Sequence, residues 1–161
     1  MERLANWIES GMTCAGYERI EALTHPLGEI AVRFWQQRPA DGIHMGRDVP
    51  SRAIARLLSS IIVYEPINGG TDYRVHLCGS GIRRRFGREI TGELLSGLYR
   101  TEDLPPRFRG INDVVKSGEP SRARIIHMTG DVEVMKLELF QMPVTAPNGV
   151  DRWVLAFALY F

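Results

Sequence analysis

With 161 residues, 44% of them apolar and 24% charged, the chain has the size and composition of one globular domain, which excludes a disordered or fibrous protein. A net charge of +1 gives no global attraction to nucleic acid or to acidic membranes, so neither is expected as a partner. Cys14 and Cys78 are too few for a disulfide scaffold and stand in no metal-binding spacing, so both are expected as reduced thiols.

The first residues, MERLANWIESG, are polar and charged where a secretory leader needs an apolar run, and no stretch reaches the ~18 apolar residues of a membrane span. The expectation is a cytoplasmic protein. Apolar recurrence at Leu4, Ile8, Ile20 and Leu23 predicts a helix over residues 2 to 22, weakened by Gly11, Thr13 and Gly16. A second helix is predicted from His25-Pro26 to Arg38-Pro39, with Ile30, Phe34 and Trp35 on one side. Residues 39 to 50 read as a loop, and Pro50 opens a short helix, SRAIARLL, whose Ile54, Leu57 and Leu58 share a face. Residues 1–50 are thus expected as an N-terminal helical extension ahead of a main domain over 51–161.

SIIVYEPI is β-branched and aromatic, and Asn68-Gly69-Gly70 accepts positive φ, so a hairpin is predicted with the following strand around Tyr73, Val75 and Leu77. Gly79 and Gly81 let the chain leave the sheet, and SGIRRRFG reads as a short helix with Ile82 and Phe86 four apart and arginines facing outward. Further helical turns follow through Ile90, Leu94, Leu95 and Leu98. A longer helix is predicted over residues 102 to 117, entered through Pro105-Pro106 and closed by Gly118. SRARIIHMT, VEVMKLELFQMPV and DRWVLAFALYF are three strands with turn signals between them, and such short connections imply antiparallel neighbours.

A β-hairpin, a helical excursion and a three-stranded meander resemble the layout of PAS sensory domains. The likeness extends to FWQQRPADG, RDVPSRAIARLLSSIIVYEP, YRVHLCGSGIRRRFGREITGE and MPVTAPNGVDRWVLAF, which are similar to a small bacterial PAS subfamily with an N-terminal Trp-bearing helix. Tyr73, Arg74, Gly79, Phe86, Gly87, Arg88, Thr91 and Gly92 carry its most specific stretch. The resemblance implies an α+β fold: a five-stranded antiparallel sheet, a helical crossover on one face enclosing a small cavity, and N-terminal helices. It implies a non-catalytic sensory or regulatory module in signal transduction, and it names no cofactor or ligand.

The residues expected to line that cavity are Val75, Leu77, Phe86, Ile90, Phe108, Ile125, Leu137, Leu139, Leu155 and Phe157. The last strand is apolar on both faces, so one is expected against the cavity and the other against the N-terminal helix or a second copy of the chain, which makes a homodimer an expectation. Arg83, Arg84, Arg85 and Arg88 are candidates for docking an acidic protein partner. The competing readings are an enzyme with a cone-shaped cavity, of isomerase or dehydratase type, using His76, His127 or Asp131 as acid or base, and an interaction domain with no cavity.

Overall fold

A computed structural model describes residues 13–161. Six strands form one antiparallel sheet: β1 (Thr13–Arg19), β2 (Ile61–Ile67), β3 (Asp72–Cys78), β4 (Ser121–Thr129), β5 (Val132–Thr145) and β6 (Arg152–Tyr160), in the order β1-β4-β5-β6-β2-β3. The helices are α1 (Gly28–Gln36), α2 (Ser80–Phe86) and α3 (Leu104–Ser117), with 3₁₀ segments at Arg52–Ser60, Leu95–Gly97 and Thr101–Asp103. The α+β class therefore holds, with six strands where five were expected. The additional one is β1, in a stretch predicted to be helical. Thr13 and Gly16 are poor helix formers, and the segment instead pairs with the exposed side of β4, Tyr17 opposite Ile125. Residues 20 to 22 of that predicted helix are irregular, and residues 2 to 12 lie outside the described residues.

Residue alternation divides the side chains into two cores. On the face carrying Ile62, Tyr64, Tyr73, Val75, Leu137 and Leu139, the crossover elements α2 and α3 and the turns between them pack as a roof. On the other face, Val63, Phe140, Met142, Leu155, Phe157 and Leu159 meet α1 and the segment Arg52–Ser60. Among the described residues each apolar face of the sheet packs against elements of the same chain, so the homodimer expectation draws no support from an uncovered sheet face.

A buried carboxylate fastens the approach to α1. Glu138, fully buried on β5, accepts hydrogen bonds from the backbone N–H groups of Thr24 and His25 and from the Thr24 hydroxyl, each at 2.8 Å, and one from Arg124 at 3.3 Å. Burial alone raises its pKa, but these donors outweigh that cost and hold it below the usual value of 4.5. His25 Nδ1 accepts from the Leu27 N–H, which leaves Nε2–H to donate to the Tyr160 carbonyl at 2.8 Å.

The outer side of β3 is closed by the chain that follows α2. Val75 N–H donates to the Glu93 carbonyl at 2.9 Å, and Gly92 N–H donates to the Val75 carbonyl at 2.7 Å. At the other end of β3, Gly79 packs directly on the backbone of Leu58 and Ser59, while its N–H donates to the Ile61 carbonyl at 2.8 Å. α2 begins at the next residue and ends at Gly87 in the left-handed region, φ 66°.

Candidate functional site

Small residues on β6 create room beneath the roof. Ala156 and Ala158 face the crossover, whereas Leu155, Phe157 and Leu159 fill the opposite face. Over Ala158 sits a partly open chamber of about 20 Å³, space for one water-sized group. Its apolar walls come from Ile62, Leu95, Ile111, Leu137 and Leu139. Its polar groups come from six places in the chain: Tyr17 on β1, Tyr64 on β2, Tyr99 after the turn Leu95–Gly97, Arg107 on α3, Gln141 on β5 and Tyr160 on β6.

These polar groups are ordered by one another. The Arg107 guanidinium lies 3.9 Å from the centroid of the Tyr99 ring, and one of its nitrogens is 3.5 Å from His127 Nε2. Burial, reinforced by Tyr99, pushes the Tyr64 and Tyr160 hydroxyls well above the normal tyrosine range, so both stay protonated at neutral pH and can donate. Gln141 is 3% exposed, and no described residue donates to its Oε1. Gly110 lets α3 pass closely here, because a Cβ at that position would collide with the Tyr17 hydroxyl. The chamber therefore offers hydroxyl and guanidinium donors and one amide acceptor, and none of its walls is Asp or Glu. No family model matches this chain, and no curated protein does.

Of the residues expected at the cavity, Leu137 and Leu139 line the chamber. Val75, Phe86, Ile90 and Ile125 are buried in the same core without reaching the chamber, and Phe108 packs half-buried against it, 6.2 Å from the Tyr73 ring. Leu77, Leu155 and Phe157 require correction. Leu77 is 37% exposed because a register irregularity between Val63 and Tyr64 shifts β3 past β2. Leu155 and Phe157 point to the α1 side, one residue out of phase with the chamber-facing alanines.

The proposed acid–base groups do not converge. His76 is exposed on β3 with its ring 4.5 Å from Trp153, His127 is buried on β4, and three strands separate β3 from β4. Asp131 is exposed in the turn after Gly130. Cys78 is buried, and its thiol is pushed up to about 11, chiefly by burial. Among the described residues no group of three or more His, Cys, Asp or Glu could hold a metal ion, and no helix is long and apolar enough to cross a membrane.

Sequence reasoning missed the polar lining altogether. A usable signal was the alternation itself: Ile62 and Tyr64 share a strand face, as do Ala156, Ala158 and Tyr160. Short side chains in the centre of a sheet, flanked by tyrosines, mark where overlying helices cannot fill the space.

Proposed function

We propose that the protein is a cytoplasmic, non-catalytic, PAS-like sensory or regulatory module whose chamber beneath the crossover receives a small molecule. The succession of hairpin, helical crossover and antiparallel meander supports the PAS-like reading, with β1 as an addition at the sheet edge. The scatter of His76, His127 and Asp131 speaks against acid–base catalysis by those residues.

The observation that carries the ligand reading is Gln141 Oε1, a buried acceptor with no donor among the described residues, at the wall of the chamber. Leaving such a group unmet costs about 1–3 kcal/mol, a cost that a bound donor removes. The matching ligand presents an N–H or O–H to Gln141 and acceptor atoms to the hydroxyls of Tyr64 and Tyr160. A chamber of about 20 Å³ admits only a water-sized group as it stands. A larger ligand therefore displaces the roof at Leu95 and Tyr99, which is the movement a sensor needs to report occupancy.

Native mass spectrometry of protein purified from its own host, with an absorbance scan for haem or flavin, tests this reading. The expected result is a retained small molecule that is lost in Gln141→Leu, while the variant melts no lower than the parent. Protein without any retained molecule would favour the second reading, an interaction domain without a ligand, to which the small chamber volume lends support.

A further inference from the structure

The arginines on and just after α2 divide into two kinds. Arg83 forms an ion pair with Glu89 at 3.0 Å, and Arg88 forms one with Glu93, so the chain itself answers both charges. The Arg84 side chain makes no hydrogen bond or ion pair with any described residue. Arg85 has no carboxylate partner among the described residues, and its guanidinium lies 3.6 Å from the centroid of the Tyr160 ring. Both line an open groove of about 410 Å³ between α2, the end of the segment Arg52–Ser60 and the end of β6. Ser59, Ser60 and the half-buried His25 and Leu27 also line it, the buried Ile82 and Leu159 form its floor, and no Asp or Glu among the described residues lines it.

We propose that this groove docks an acidic segment of a partner protein, with a carboxylate taken by Arg84 and Arg85 and an apolar neighbour placed on the half-buried Leu27. The volume lies in the range of recognition clefts, and the two unanswered cations supply the charge complementarity. Tyr160 gives the groove a connection inward, because the same side chain is a wall of the chamber. A ligand that displaces the Tyr160 ring displaces the Arg85 guanidinium stacked on it, and so changes what the groove offers its partner. This last link rests on the ligand reading above, whereas docking itself does not.

The test uses a fluorescent, N-acetylated peptide of alternating leucine and glutamate, its leucine–glutamine counterpart as control, and anisotropy on the intact chain without added ligand. The glutamate peptide is expected to bind more weakly as salt rises, and the double variant R84A/R85A to lose at least about tenfold in affinity. The double variant R83A/R88A removes the same formal charge and is expected to change affinity by less than about threefold, since those side chains already serve Glu89 and Glu93. Circular dichroism confirms that each variant is folded, and the single exposed change R84E provides a second route to the same loss. Equal losses in the two double variants would overturn the proposal in favour of diffuse helix charge, and so would equal binding of the glutamine peptide or no binding at all. A failed dock leaves ligand retention by the chamber untouched, and a chamber without ligand leaves the peptide result untouched.

Discussion

Replacing Gly79 by alanine should destabilise the fold for reasons of space alone. The residue has φ −69° and ψ 158°, a conformation open to any amino acid, so no backbone strain arises. A Cβ added there would lie 2.6 Å from both the carbonyl carbon and the oxygen of Ser59, and closer still to the Leu58 oxygen. Ordinary contact begins at 3.4 Å, so the backbone of one side must retreat by about 1 Å to clear the Leu58 oxygen. That retreat also pulls on the bond from Gly79 N–H to the Ile61 carbonyl. Overpacking of this kind costs about 1–3 kcal/mol, and the loss of unfolded-chain entropy on replacing glycine returns about 0.4–1 kcal/mol. The net destabilisation is about 1–2 kcal/mol, a fall in melting temperature of about 2–8 °C for a domain of this size. Gly97→Ala is the internal control, because no atom lies within 4 Å of its added Cβ and its φ is not positive. Urea unfolding followed by tryptophan fluorescence should place Gly79→Ala below the parent and Gly97→Ala at or above it. A Gly79→Ala protein as stable as the parent would refute the close-approach argument.

Glu138→Gln should destabilise by about 2 kcal/mol or more, since three protein donors and Arg124 then face a neutral amide. The folded pKa of Glu138 is depressed, so its contribution is complete above the usual value of 4.5 and fades as pH falls through the lower folded value. Stability measured against pH should therefore decline less steeply over that acid window in the variant than in the parent. Leu155→Ala should cost about 2–5 kcal/mol through a cavity on the α1 side while leaving ligand retention unchanged, whereas Leu139→Ala should alter retention as well. In a Cys14→Ser background, Cys78 should react with a disulfide reagent at pH 8 far more slowly in native than in urea-unfolded protein, because burial keeps it as the thiol. Equal rates would show that the strand end opens readily.

Alternation and turn chemistry were enough to locate β2 through β6. Asn68, Gly69 and Gly70 adopt φ of 51°, 72° and 93° in the hairpin, and Gly118 ends α3 at 71°, as turn and cap residues should. β1 was not legible because what makes it a strand is β4, about a hundred residues later, while Gly16 blurs its own pattern at a bulge. Gly79 was read as letting the chain turn out of the sheet, but the physical reason for glycine there is neighbouring backbone rather than conformational freedom. The chamber was harder still. β6 is apolar on both faces, so polarity could not fix its phase, and only the contrast of alanines with leucine and phenylalanine distinguishes the faces. Arg107 and Gln141 gave no sign because their burial depends on α3 lying across β5 at Gly110.

The bonds that Gly92 and Glu93 make to Val75 have a consequence for assembly. With that margin of the β-layer occupied by its own chain, a visiting polypeptide cannot extend the ladder there by main-chain pairing. Recognition on this flank falls to side chains, so its selectivity is set by chemistry that single substitutions can rewrite.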